Sequence, residues 1–135
     1  MTRARILLAD DNKEMRDTIE RLLESEFDIV GVVSNGAELV EAESTTQADI
    51  CLVDISMPIM SGFEAAHQMK TSASQIRIIF LTVHDDPDLL HAALETGALG
   101  YVLKSRIGSD LSLAIRSALS GQLFISPSPT LGTVN

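Results

Sequence analysis

The chain has 135 residues, 10 Lys and Arg against 19 Asp and Glu, a formal net charge of −9 and one cysteine, Cys51. That is the length of one ordinary domain able to fold without staples, and a lone cysteine excludes a disulfide framework or a multi-cysteine zinc site and suits a reducing cytoplasm. The acidity excludes nucleic-acid binding by this domain's own surface, the short apolar runs exclude a membrane span, and Met1-Thr2-Arg3-Ala4-Arg5 opens no signal peptide.

Ile6-Leu7-Leu8-Ala9 is a predicted strand that stops at Asp10-Asp11. Asn12 is placed to cap a helix whose apolar residues Met15, Ile19, Leu22 and Leu23 recur at helical spacing. On its other face Arg16 is spaced to pair with Glu20, and Asp17 with Arg21. Residues 29–33 read as a second strand with Asn35-Gly36 as its turn, and 38–44 as a shorter helix. Ile50-Cys51-Leu52-Val53 is a third strand ending on Asp54. A proline-containing loop, Ser56-Met57-Pro58-Ile59-Met60, leads through Ser61-Gly62 to a helix over 63–70. The fourth strand, 76–81, ends at Thr82. Asp86-Pro87-Asp88 supplies a cap, a first-position proline and a first-turn acid for a helix that stops at Gly97. Residues 100–103 form a fifth strand ending at Lys104, and after Gly108-Ser109 a last helix carries Leu111, Ala114, Ile115, Ala118 and Leu119. Beyond Gly121 the pattern breaks at Ser126-Pro127-Ser128-Pro129, so residues 1–121 are expected to be the domain and 122–135 a linker or tail.

Five strands alternating with five helices imply an α/β fold, a parallel sheet covered on both faces. Ligands of such sheets bind at the carboxyl ends of the strands. Those ends carry Asp10 and Asp11, Ser34, Asp54, Thr82 and Lys104. Three crowded carboxylates repel one another, and a hard divalent cation removes that penalty; so few ligands favour Mg²⁺ over a caged Ca²⁺. A carboxylate beside Mg²⁺ is a workable nucleophile toward phosphorus, and an ammonium offsets charge on the phosphoryl oxygens. Lys104 is the candidate ammonium, and Thr82 a hydrogen-bond donor to the new phosphoryl group.

Asp10-Asp11, Asp54 followed by Met57-Pro58 and Gly62, Thr82, and Tyr101 three residues before Lys104 resemble the receiver domain of bacterial two-component response regulators. The resemblance spans residues 4–121. It implies a doubly wound, five-stranded, flavodoxin-like sheet in the order 2-1-3-4-5. It implies Asp54 as phosphoacceptor, Asp10, Asp11, Asp54 and the Ser56 backbone carbonyl around Mg²⁺ (with Mn²⁺ able to substitute), and Lys104 and Thr82 on the phosphoryl group. Tyr101 matches the aromatic that turns inward with Thr82. No cofactor other than the metal is implied. The donor is a sensor histidine kinase, and the chain catalyses only its own phosphorylation and slow dephosphorylation, so it is a switch rather than an enzyme. Location in the cytoplasm and a homodimer through the fourth helix, fifth strand and fifth helix are expected, with no membrane partner.

The segments 81–86 and 121–127 resemble the branch whose receivers precede a LuxR-type helix-turn-helix, implying transcription regulation by a DNA-binding domain absent from this chain; the alternative is a stand-alone receiver acting through protein contacts. Two residues depart from the family pattern. Val83 stands where alanine or glycine is common, which predicts slow dephosphorylation. Ser105 stands where many members have proline, leaving the Lys104-Ser105 peptide either cis or trans. A flavin or nucleotide module would need a phosphate-cradling loop after strand one, which Asp10-Asp11-Asn12 is not. A phosphatase of the haloacid dehalogenase type needs its two acids two residues apart, whereas here they are adjacent. Of the histidines, His67 and His91 are expected on solvated helix faces, and only His84 lies beside the site. Cys51 reads as core.

Overall fold

Alternating apolar runs and amphipathic stretches fold as alternating strands and helices. The computed structural model describes residues 3–72 and 74–130. In chain order the elements are β1 (Arg5–Ala9), α1 (Lys13–Leu23), β2 (Asp28–Val33), α2 (Gly36–Thr46), β3 (Ile50–Asp54), α3 (Gly62–Thr71), β4 (Arg77–Thr82), α4 (Pro87–Glu95), β5 (Gly100–Leu103), a 3-10 turn (Lys104–Arg106), α5 (Ile107–Leu119) and β6 (Phe124–Ile125). The strands form one parallel sheet in the order β2-β1-β3-β4-β5-β6. Among the described residues no helix is long and apolar enough to cross a membrane.

Side chains of a strand alternate between faces, and the sheet divides its core accordingly. Ile6, Leu8, Ile50, Leu52, Ile79 and Leu81 pack with Ile19 and Leu23 of α1 and with Leu111, Ala114, Ile115 and Ala118 of α5. Leu7, Ala9, Cys51, Val53, Phe80 and Tyr101 pack on the other face with Leu39 of α2, Ala65, Ala66 and Met69 of α3, and Ala93 of α4. Phe63 meets Phe80 edge to face, ring centroids 5.1 Å apart, a geometry that adds about 1 kcal/mol to simple burial.

Caps fix where the helices begin. Asn12 accepts from the Met15 N–H at 2.9 Å, and Asp86 from the Asp88 N–H at 2.8 Å. Ser61 and Glu64 close a reciprocal capping box at the start of α3, a device that contributes about 1 kcal/mol. Asn35, expected in a turn, is instead the cap of α2, accepting from the Glu38 N–H at 2.9 Å; the helix therefore starts at Gly36. Gly97, with φ of 87°, ends the α4 segment in a left-handed conformation.

Two further expectations need correcting. Arg16 does not pair with Glu20: it donates to the carbonyl of Asp10 at 2.9 Å, while Lys13 pairs with Asp17 at 2.8 Å. The sheet has six strands, not five. Residues 124 and 125 return from α5 and pair with Gly100 and Tyr101, so part of the stretch expected as linker is sheet. Two residues followed by Pro127 carry too little pattern to announce a strand. Residues 131–135 of that expected tail lie outside the described residues.

Candidate functional site

The sheet places every strand end named above on one edge. Asp10 follows β1, Asp54 closes β3, Thr82 closes β4, and Lys104 follows β5. The registers Ala9 to Val53, Asp54 to Leu81 and Thr82 to Leu103 hold these ends level across four neighbouring strands. The backbone behind Asp54 is held tightly. Gly62 N–H donates to the Ile55 carbonyl at 2.9 Å, and a Cβ at Gly62 would lie 2.4 Å from the Asp54 carbonyl oxygen. Only glycine lets α3 begin this close to the strand end.

Carboxylate oxygens of Asp10, Asp11 and Asp54 lie within 4.8 Å of one another. Asp10 is fully buried, Asp54 nearly so, and Asp11 is exposed. Asp10 Oδ1 accepts from the Asn12 N–H at 2.9 Å. Its buried Oδ2 faces Lys104 Nζ at 2.8 Å, with no hydrogen-bond donor in line with it. The Asp54 carboxylate accepts from the Ser56 N–H at 3.2 Å on Oδ1 and meets Lys104 Nζ at 3.1 Å on Oδ2. Burial, and next the charge of Asp10, push Asp54 up to about 6, against the pull of Lys104 and the Ser56 N–H. Lys104 is held above its ordinary value: burial, the largest single influence, opposes its charge, but Asp10 and Asp54 together outweigh it. Three hard oxygen donors, one exposed and one with a buried oxygen lacking an aligned donor, suit a hard divalent cation. The acidic cluster has the composition and spacing of a metal site.

Thr82 is buried, and its Oγ1 accepts from the His84 N–H at 3.0 Å. Tyr101 is wholly buried and its hydroxyl donates to the His84 carbonyl at 3.0 Å. The backbone of His84 thus joins Thr82 to Tyr101, while its side chain is exposed. Burial pushes the Tyr101 phenol up to about 12, with Asp86 and Asp85 adding to it and Thr82 opposing. The Lys104-Ser105 peptide is trans, since no described peptide is cis. His67 and His91 are exposed and away from the cluster, His91 beside Glu95 at 3.3 Å. Cys51 is buried core, its thiol pushed far up by burial.

Sequence reasoning brought together Asp10, Asp11, Asp54 and Lys104, and Thr82 with Tyr101. It overlooked Arg16, which fixes the Asp10 carbonyl, and the backbone of Asn12, which orients the Asp10 carboxylate. Arg16 falls one helical turn after Asn12, a spacing that signals reach back to the preceding loop.

Residues 6–116 match the response regulator receiver domain family. The chain is 37% identical over 123 residues to the response regulator UvrY of Escherichia coli, covering 90% of this chain and 56% of that protein. It is 31% identical over 133 residues to the transcriptional regulatory protein LnrK of Bacillus subtilis, covering 97% of this chain and 60% of that one. Among solved structures, a LuxR-family two-component response regulator from Aurantimonas is similar with a TM-score of 0.88 at 30% identity, covering 96% of this chain and 93% of that one. The receiver domain of NarL from Mycobacterium tuberculosis gives 0.86 at 26%, covering 90% and 100%. The chain thus spans less than two thirds of the length of these curated relatives.

Proposed function

The chain belongs to the response regulator receiver domain family, and from that premise we propose that it is the Mg²⁺-dependent phosphoryl-accepting switch of a two-component system. Asp54 is the acceptor. One observation carries this reading: its buried carboxylate meets Lys104 Nζ at 3.1 Å inside a cluster of three carboxylates.

An Asp54 oxygen attacks phosphorus of a phosphohistidine on a sensor histidine kinase; the P–O bond forms as the P–N bond breaks, and the imidazole leaves. Asp10, Asp11, Asp54 and the Ser56 carbonyl would hold Mg²⁺, for which Mn²⁺ could substitute, and the ion would supply charge neutralisation to the phosphoryl oxygens. Lys104 supplies the second positive charge, freed from one carboxylate as the phosphoryl group arrives. Asp10 and Asn12 orient the acidic cluster, and Thr82 donates its hydroxyl to the bound phosphoryl group. Drawing Thr82 toward Asp54 pulls on the His84 backbone that Tyr101 shares, which biases the packing of α4, β5 and α5. The chain turns over no other substrate: it catalyses its own phosphorylation and a slow hydrolysis.

The output we propose is transcription regulation through a DNA-binding domain outside these 135 residues. It is supported by the LuxR-family structure and by LnrK, a transcriptional regulatory protein. We place the chain in the cytoplasm, where the kinase partner presents its phosphohistidine. A homodimer through α4, β5 and α5 would pack side chains rather than strands, because β6 already pairs with β5.

Incubation with acetyl phosphate and Mg²⁺, followed by intact mass, tests the reading. The wild type gains one phosphoryl group and Asp54→Ala gains none. A wild type that takes up no phosphoryl group overturns it.

A further inference from the structure

Lys104 has to bridge two carboxylates, at 2.8 Å to Asp10 and 3.1 Å to Asp54. Its segment opens as a short 3-10 turn, Lys104–Arg106, that has no side-chain cap of its own. Lys104-Ser105-Arg106-Ile107-Gly108-Ser109 contains no proline, and its serines and glycine are conformationally permissive.

The backbone on both sides of Lys104 is instead tied to one buried side chain, Asp110 in the first turn of α5. After Lys104, Arg106 Nε donates to Asp110 Oδ2 at 2.7 Å and its Nη2 to Oδ1 at 3.3 Å. Before Lys104, the tie runs through Ser126. The Leu103 N–H donates to Ser126 Oγ at 3.1 Å, and that hydroxyl donates in turn to Asp110 Oδ2 at 2.7 Å. Ser126 is fully buried and follows β6, its own N–H donating to the Tyr101 carbonyl at 2.9 Å. Its hydroxyl takes the Leu103 N–H that a continued parallel ladder would have paired with the Ser126 backbone carbonyl. Pro127 cannot extend the strand as a donor.

We propose that Ser126 and Arg106 are positioning residues for phosphoryl transfer, holding Lys104 over Asp10 and Asp54 through the buried Asp110 carboxylate. The segment after α5 is then part of the site's machinery, although it touches none of the reacting atoms. This rests on Lys104 being the cation that meets the phosphoryl group. Loosening one flank costs rate because transfer depends on sub-ångström placement of the cation over the acceptor.

The test uses the full chain with acetyl phosphate and Mg²⁺. Ser126→Ala is expected to slow adduct formation at saturating Mg²⁺ about tenfold and to abolish hydrogen-exchange protection at the Leu103 amide. Ser126→Thr, which keeps the hydroxyl, is expected to restore most of the rate. A wild-type rate in Ser126→Ala with Leu103 unprotected overturns the proposal, leaving Ser126 as a brace for β6 only. If Ser126→Ala does not fold, Arg106→Gln loosens the other flank at the solvent-facing end of the latch: a slowed rate supports the proposal, and a wild-type rate overturns it. A wild type that takes no phosphoryl group brings down the reading of Asp54 and this proposal together. A phosphorylated wild type matched by both variants brings down this proposal alone.

Discussion

Two nearly buried aspartates sit at the same end of the sheet, and their surroundings are opposites. Asp110 accepts two hydrogen bonds from Arg106, one from Ser109 and one from Ser126. Burial is the largest influence on it and pushes its carboxyl upward, yet Arg106, Ser126 and Ser109 overcome that push and hold it below its ordinary value. Asp54 accepts one backbone N–H, shares a single ammonium with Asp10, and is pushed up to about 6 by burial and by that neighbour. A saturated carboxylate is a brace. An undersupplied one is left with lone pairs and a charge that favour a cation or an electrophile. The number of donors each side chain is given, rather than its depth, separates the bracing acid from the one proposed to react.

The contrast is broken most severely at the brace. Asp110→Ala strands the Ser126 hydroxyl and the Arg106 guanidinium, and is expected to lower stability by about 2 kcal/mol, the half-exposed Arg106 keeping the loss below that of a fully buried pair. Chemical denaturation measures this. Asp54→Asn should act in the opposite direction, raising stability without Mg²⁺ by about 1 kcal/mol, allowing for the solvent that reaches the site; millimolar Mg²⁺ should cancel that advantage by stabilising only the wild type. Stability against pH sharpens the same comparison. Between its ordinary 3.8 and about 6, Asp54 binds more proton folded than unfolded, so the metal-free domain should lose stability as pH rises through that window. Asp110 is the reverse: its contribution is present above 3.8 and lost as pH falls through its lowered folded value. Asp54→Asn should flatten the upper limb and Asp110→Asn the lower, in melts across pH 2.5 to 8. The smallest effect concerns Val83, which is 71% exposed and lines a shallow depression with Met15 and Lys104 beside the cluster. Val83→Ala should speed hydrolysis of the aspartyl phosphate a few-fold by admitting water; an unchanged or slower decay of the phosphorylated mass would count against that role.

Asp54, the acid proposed as acceptor, was legible in the sequence and the brace was not. Asp54 ends an uninterrupted apolar run, and the parallel arrangement that such runs imply brings Asp10, Asp11, Thr82 and Lys104 to the same edge. Each of these residues ends a strand or follows one within two positions, and strand ends are what hydrophobic patterning locates best. Asp110 reads in sequence as an ordinary first-turn acid on a helix. Its partner Ser126 sits among prolines in a stretch that resembles linker, and it meets Leu103 only because β6 pairs with β5. That pairing depends on α5 returning the chain along the sheet, which periodicity does not encode. The capping residues were readable where a helix pattern followed at once, as at Asn12 and Asp86, and misread at Asn35, where an Asn-Gly pair looks like a turn. Arg16 was ambiguous in the sequence, because helical spacing offers Glu20 as its partner one turn ahead and the loop carbonyl of Asp10 lies behind it.

Tyr101 carries a practical consequence. The chain contains one tyrosine and no tryptophan, and that tyrosine is the buried ring whose hydroxyl is tied to the His84 carbonyl. Near-ultraviolet dichroism and tyrosine emission of this domain therefore report chiefly on the one side chain proposed to couple the phosphoryl site to the α4, β5 and α5 surface. The protein carries its own optical reporter at the position where a label would be wanted, its tyrosine bands lying to longer wavelength than those of the four phenylalanines.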